Sequence, residues 1–282
     1  MKTGISIWAF PNDWKLDKCF ALTAETGFDG IELAYASDGP LTASTTSDDI
    51  NSLLRLARST SVEILSLASG IFWSVNLLSD DSTERDKAKA HLCRMLEVAS
   101  DLEVPTILVV PGFAGPFEAG PPVIRDYQLT FDRAIADFQG IAPLAERLGV
   151  SIGIENVWNK FLSSPIEMRA FVDAVGSQSV GVYFDVANCL RTGYPEHWIQ
   201  LLAHRIKGVH FKDFRVNVGT LLGFTDLFEG DVDFGAVVSA LHDVSYRGAC
   251  VVEAFTRTPY PEVVVQRAGA DIRRVFDTAG VA

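Results

Sequence analysis

The sequence predicts an α/β protein, a (β/α)8 TIM barrel forming a single domain over residues 1–282. Three observations carry that prediction. Short apolar segments with strand character recur eight times along the chain. Amphipathic segments of helical periodicity run between them. The first strand is followed by GISIWAFPND-type sequence, with none of the G-x-G-x-x-G turn that an open dinucleotide-binding sheet would place there. Alternating strands and helices make a parallel sheet, because each crossover helix returns the chain in the same direction. Eight such units in this length fit closure into a barrel.

In chain order the strand candidates are 3–9 (TGISIWA), 29–34 (DGIELA), 63–68 (EILSLA), 106–111 (TILVVP), 151–156 (SIGIEN), 180–185 (VGVYFD), 206–211 (IKGVHF) and 249–255 (ACVVEAF). The first four are followed by the strongest helical patterns: LDKCFALTAETG, DDINSLLRLARST, STERDKAKAHLCRMLEVASDLEV and QLTFDRAIADFQGIAPLAERLG. Gly27, Gly149 and Gly176 fall where a helix must stop before the next strand. Two connections are long, residues 112–123 and 214–233. Both follow strands and so belong to the C-terminal face, where extra length shapes a substrate pocket or a subunit contact. In GDVDF, Asp233 is the expected N-cap of the seventh helix.

Bulk composition narrows the function. Hydrophobic residues make up 48% of the chain and charged residues 21%, with a mean hydropathy of +0.18, enough for a sizeable core. A net charge of −12 opposes phosphate-backbone binding and excludes a nucleic-acid partner. It suits a protein that handles small molecules. Cys19, Cys93, Cys189 and Cys250 form no CxxC pair and no metal spacing, so they read as free thiols. The N-terminal MKTGISIWAF is not a signal peptide, and no apolar run reaches membrane-spanning length, so a cytoplasmic protein without a membrane partner is expected.

Chemistry in a barrel sits at the C-terminal strand ends. Strands five to eight end in Glu155 (GIENV), Asp185 (VYFDVAN), His210 (GVHFKD) and Glu253 (VVEAF), each embedded in apolar sequence. Singly, each has a structural explanation: Asp185 could cap a turn, His210 could be a hydrogen-bonded core histidine, and either glutamate could pair with a basic neighbour. Jointly, three carboxylates at one rim repel each other and need a cation. Lys212 or Arg215 could supply one charge; a divalent metal does so better. Three carboxylates and an imidazole make a mostly hard, oxygen-rich site for Mn²⁺ above all or Mg²⁺, with Co²⁺, Fe²⁺ and Zn²⁺ admissible. No HExxH motif points to a metalloprotease.

The set IEN, FDVAN, VHFKD, GDVDF and VVEAF resembles the xylose-isomerase-like TIM-barrel superfamily, in its sugar phosphate isomerase/epimerase branch, which includes ketose 3-epimerases and L-ribulose-5-phosphate 3-epimerase. The resemblance spans essentially the whole chain. It implies a metal held by Glu155, Asp185, His210 and Glu253, and a sugar carried through a metal-stabilised enediolate, most simply in ketose 3-epimerisation. It also implies that Glu155 and Glu253 are both ligands and acid/base groups on opposite faces of the substrate. There are departures. Where tagatose-type enzymes carry a second histidine three residues beyond the strand-six aspartate, this chain has Asn188. Arg215 only approximates their arginine beyond the strand-seven histidine. Two alternatives stay open: a keto-glycoside lyase or deglycosidase subunit, including C-glycoside cleavage, which would need a second subunit, and a non-catalytic sugar-binding barrel. Endonucleases of the superfamily use additional histidines, and of five histidines here only His210 is well placed.

Further substrate contacts are expected from Lys212, Arg215 and Asn188, with Asn156 beside them. Lys212 lies two positions beyond His210 on the same face of an extended strand, where it would hold a substrate oxygen or pair with an acid. Trp14 and Trp158 are the expected sugar-stacking rings among a group that includes Trp8, Phe10, Phe72 and Trp73. Glu32, ending strand two, would contact substrate or bridge to a basic residue. The partner implied is a small carbohydrate, and the apolar 112–123 loop is compatible with a homo-oligomer.

Overall fold

Eight parallel strands close on themselves: β1 (Lys2–Ser6), β2 (Gly30–Ala34), β3 (Glu63–Ala68), β4 (Thr106–Val109), β5 (Ser151–Glu155), β6 (Val180–Asp185), β7 (Ile206–Phe211) and β8 (Ala249–Val252). β1 pairs with both β2 and β8, which closes the ring. The computed structural model describes residues 1–115, 123–254 and 259–278. Eight helices cover the barrel: α1 (Leu16–Glu25), α2 (Ser47–Thr60), α3 (Ser82–Asp101), α4 (Tyr127–Leu148), α5 (Pro165–Val175), α6 (Pro195–Leu202), α7 (Phe234–Asp243) and α8 (Pro261–Thr278). The fold predicted from the sequence is the fold observed. Among the described residues, no helix is long and apolar enough to cross a membrane.

Local chemistry sets the boundaries. The helices start on side-chain caps: Thr46 with Asp49 as a reciprocal capping box for α2, then Asp81, Asp126, Ser164 and Asp233 for α3, α4, α5 and α7. α4 and α5 end on Gly149 and Gly176, both left-handed at φ of 68° and 75°. Four strands end before the expectation, β4 at Val109 and β5 at Glu155 among them. β1 stops at Ser6, and residues Ile7–Ala9 turn as a 3₁₀ helix capped by the Ser6 hydroxyl. β8 stops at Val252, although the Glu253 N–H still donates to Phe211 O at 3.0 Å. Phe255 of the predicted strand, and most of the 112–123 loop, lie outside the described residues.

The connection after β7 contains an antiparallel hairpin, Asp213–Phe214 with Phe224–Thr225, too short to show a period in the sequence. Asp213 holds its base. This fully buried carboxylate accepts the N–H groups of Phe214, Gly230 and Val232 at 2.8, 2.8 and 3.0 Å. The acid after Lys212 is therefore a brace for the loop that walls the site.

Inside the barrel the packing is graded by size. Tyr183 of β6 pairs in register with Gly208 of β7 and folds its ring over that glycine. A Cβ at Gly208 would lie 2.5 Å from Tyr183 Cε2, and one at Gly153 of β5 would lie 2.9 Å from Tyr183 Cβ. The missing side chains are the space the tyrosine occupies. Parallel registers slip at two places, Ile31/Glu32 in β2 and Val182/Tyr183 in β6. Such irregularities re-aim the side chains beside them, and Glu32 and Tyr183 meet inside the barrel with Tyr183 donating its phenol to Glu32 Oε2 at 2.7 Å.

Gly208→Ala is expected to overpack this layer and to lower unfolding stability by about 1–3 kcal/mol. Urea denaturation monitored by circular dichroism measures it. A variant as stable as the parent would show that the Tyr183 ring is not tightly confined.

Candidate metal and active site

The polar centre is built from strand ends around one histidine. One potential ligand atom from each of Glu155, Asp185, His210 and Glu253 falls within a cluster in which all lie within 4.8 Å of one another. The four come from β5, β6, β7 and the residue after β8, neighbours around the ring. Register brings two of them level, since Asp185 pairs with His210 across β6 and β7.

His210 is fully buried and its two ring nitrogens have different surroundings. Nε2 lies 2.9 Å from Glu32 Oε1. Glu32 is itself saturated by hydroxyl donors, Ser66 and Tyr183 each donating to Oε2 at 2.7 Å. An ionised carboxylate accepts and cannot donate, so this network assigns the proton to Nε2. Nδ1 faces Glu155 Oε1 and Glu253 Oε2, both 3.7 Å away, and makes no hydrogen bond. A carboxylate–histidine pair of this kind orients a metal-binding imidazole and raises its basicity.

Asp185 divides its oxygens similarly. Oδ1 accepts the backbone N–H groups of Ala187 and Asn188 at 2.9 and 2.8 Å. Oδ2 faces the cluster, 3.0 Å from Lys212 Nζ but without hydrogen-bond geometry. Asn156 holds the backbone of Asp185 from both sides, accepting its N–H at 2.8 Å and donating to its carbonyl at 2.9 Å. Asn188 donates to Asn156 O at 2.9 Å and approaches Glu155 Oε1 at 3.5 Å.

Without a metal, the cluster is balanced by protons and Lys212. Burial works against charge on His210, yet Glu32, Glu155 and Glu253 hold its pKa well above the ordinary value. Burial likewise opposes charge on Lys212, and Asp185, Glu253 and Glu155 overcome it and raise its pKa. Burial pushes Glu155 up to about 7 despite His210 and Lys212. Asp185 is also raised by burial, whereas Lys212, 2.7 Å from Glu253 Oε2, and His210 hold Glu253 below the usual carboxylate range against burial. The orphaned Nδ1 and three converging carboxylates are the donor set a hard divalent cation requires, so the residues fit a metal.

Over the cluster opens a cavity of about 360 Å³, walled by Glu155, Glu253, Lys212, Trp8, Trp73 and Trp158, with Phe224 and Leu221 from the post-β7 loop. Trp158 is fixed by an indole N–H bond to Asn188 O at 2.7 Å and by edge contact with Phe214. The structure thus assembles Glu155, Asp185, His210, Glu253, Lys212, Asn188 and Trp158. It does not bring in Arg215 or Trp14. Arg215 turns outward to Glu229, its Nε donating to Glu229 O at 2.9 Å, because the hairpin carries it off the barrel axis. Trp14 lies beneath Lys18 Nζ, 3.1 Å from the ring centroid, and lines a neighbouring cavity with Phe10. Phe72 is fully buried and belongs to the core. Glu32 is the basic-residue bridge foreseen as one of its two roles. Ser66 and Tyr183 were missed: both are strand-interior residues, and only the polar atoms of Ser and Tyr within apolar runs could have signalled them.

Fold and site together define a barrel enzyme class with a buried acid–histidine cluster at its C-terminal rim. Residues 20–274 match the model of the xylose isomerase-like TIM barrel family, and the chain belongs to that family. Among curated relatives, it is 28% identical over 272 residues to the D-psicose 3-epimerase of Agrobacterium fabrum, covering 92% of this chain and 86% of that one. Among solved structures, D-psicose 3-epimerase with D-tagatose from Clostridium cellulolyticum H10 superposes with a TM-score of 0.79 at 22% identity, covering 99% of both chains. An L-ribulose 3-epimerase gives 0.79 at 20% identity, covering 99% of this chain and 95% of that one.

Glu32→Gln is expected to keep the fold and weaken Mn²⁺ binding about 10–100-fold, since it loosens the imidazole without removing a ligand. Titration followed by the electron paramagnetic resonance of free Mn²⁺ reads the change, and unaltered affinity would assign Glu32 a purely structural role. A second expectation concerns pH. His210 is raised and therefore protonated near neutrality in the metal-free site, so a metal must displace that proton. Mn²⁺ affinity should rise with pH as Glu155, pushed up to about 7, and His210, raised further still from its ordinary range, give up their protons, with proton release visible as a buffer-dependent calorimetric enthalpy. Pairing that releases no proton would mean the histidine is neutral before binding.

Proposed function

We propose that the chain is a divalent-metal-dependent sugar epimerase acting on ketoses at C3, with Mn²⁺ as the leading metal. The observation that carries this reading is the unpartnered Nδ1 of His210 facing Glu155 and Glu253 at 3.7 Å each, at the floor of a cavity with aromatic walls. The kinship with a D-psicose 3-epimerase over most of both chains supports the substrate class.

Glu155, Asp185, His210 and Glu253 would hold the metal. When bound, it would supply electrophilic polarisation of a sugar carbonyl and so acidify the neighbouring C–H. Glu155 then takes that proton: burial keeps its carboxylate basic enough to act near neutral pH. Glu253 returns a proton to the opposite face, one it must first take up from solvent, because Lys212 and His210 hold it below the usual carboxylate range. Trp158 and Trp73 bound the cavity with apolar faces against which sugar C–H bonds pack. Asn188, fixed against Glu155, lies where it can meet a substrate hydroxyl.

The test is deuterium exchange in D₂O, followed by NMR, with EDTA-stripped and Mn²⁺-reloaded protein offered a panel of ketoses. The reading expects metal-dependent incorporation at C3 that persists in the epimer, and a loss of about 10²–10⁴-fold in Glu155→Gln. Aglycone release from 3-keto-glycosides would instead establish the lyase. Absence of exchange on every sugar, with metal bound, would leave a binding barrel and sink the epimerase reading.

A further inference from the structure

Behind Trp158 lies a second cavity of about 250 Å³ that the chemistry above does not use. It shares Val157, Trp158 and Asn188 with the cavity over the acid cluster, so the two adjoin at the Trp158 ring. Its character is opposite. In a chain of net charge −12, no carboxylate lines it among the described residues, while Lys160 and Arg191 do.

Two connections bring those cations together. Lys160 belongs to the loop after β5 and holds a left-handed φ of 61°; Arg191 ends the short 3₁₀ helix Asn188–Arg191 after β6. The guanidinium of Arg191 stacks 4.8 Å over Trp158, on the ring whose indole N–H holds Asn188. Neither Lys160 nor Arg191 forms an ion pair with a described residue, in contrast to Lys212 and Arg215, which are committed to Glu253 and Glu229. Ser163 and Thr192 add hydroxyls at the edge. On the inner wall, Trp198 is 3% exposed.

We propose that this cavity is a subsite for a terminal oxyanion of the substrate, a phosphate monoester or a carboxylate at the end of the sugar remote from the reacting carbon. Two cations and two hydroxyls are donors, the complement that a group of acceptor oxygens requires. Placement follows the same electrostatics. Glu155, Asp185 and Glu253 repel an anion, whereas a sugar passing Trp158 carries its charged end away from them toward Arg191. That the carrier is a sugar rests on the epimerase reading; the oxyanion preference does not.

Two measurements on the full-length, Mn²⁺-loaded protein test this. In the first, inorganic phosphate is titrated calorimetrically into the parent protein and into Lys160→Glu and Arg191→Gln, both at exposed positions and neither among the candidate metal ligands. Each variant is expected to bind at least about tenfold more weakly, and parent binding should fall with added salt. In the second, C–H exchange compares free ketoses, ketose phosphates and keto-acids of equal chain length. Anionic sugars are expected to be preferred in kcat/KM, that preference should shrink about tenfold or more in either variant, and the better of the two anions identifies the group. Equal exchange of neutral and anionic ketoses, or phosphate affinity unchanged by both substitutions, overturns the subsite. Exchange on no sugar together with variant-sensitive phosphate binding retires the epimerase reading and keeps the subsite.

Discussion

The buried pair between Glu32 and His210 is the constraint around which the site is organised. A carboxylate and an imidazole, both fully buried, face each other at 2.9 Å across the barrel interior. Breaking such a pair by removing one partner costs about 3–5 kcal/mol, because the survivor is left charged or unsatisfied in a poorly solvating interior. The pair fixes which ring nitrogen carries hydrogen, and so which faces the three rim carboxylates. Tyr183 and Ser66 close the remaining oxygen of Glu32, so that only Nδ1 of the system remains unmet.

That arrangement depends on backbone departures from a regular barrel. The registers slip at Ile31/Glu32 and at Val182/Tyr183, beside the two residues that must reach each other across the interior. Gly153 and Gly208 then provide the room that the Tyr183 ring occupies. Strand irregularity, omitted side chains and a hydroxyl–carboxylate bond act together here. Each would be a local cost alone, and jointly they hold one imidazole in one orientation.

The strand ends were legible in the sequence for a physical reason. A carboxylate or histidine at the close of an apolar run is conspicuous, and barrel topology carries consecutive strand ends to adjacent positions on one rim. Glu155, Asp185, His210 and Glu253 therefore declared themselves together. What lies one layer deeper did not. A register slip leaves no trace in composition, so the sequence offered no means of telling that Tyr183 turns to Glu32. Arg215 and Trp14 lie outside the site because other partners hold them, Glu229 across the hairpin connection and Lys18 above the indole. The basic pair Lys160 and Arg191 was equally invisible, its members being separated by a helix and a strand.

Charge accounts for the division of labour across Trp158. On one side, three buried carboxylates, Glu32, Glu155 and Asp185, and the half-buried Glu253 are met by Lys212 and a proton on His210. Such a cluster lacks positive charge, which is why it suits a divalent cation and gives up a proton to receive one. The same deficit makes it a poor neighbour for any anionic part of a substrate. On the other side of the indole the polarity reverses, with Arg191 stacked on the ring and Lys160 opposite in a cavity lined, among the described residues, by no acid. On the proposed reading, a charged sugar would lie across both regions in one direction, with its reacting carbon over Glu155 and its anionic end past the tryptophan. The ring that walls the two cavities would then set the orientation in which a substrate presents its C–H bond to the base.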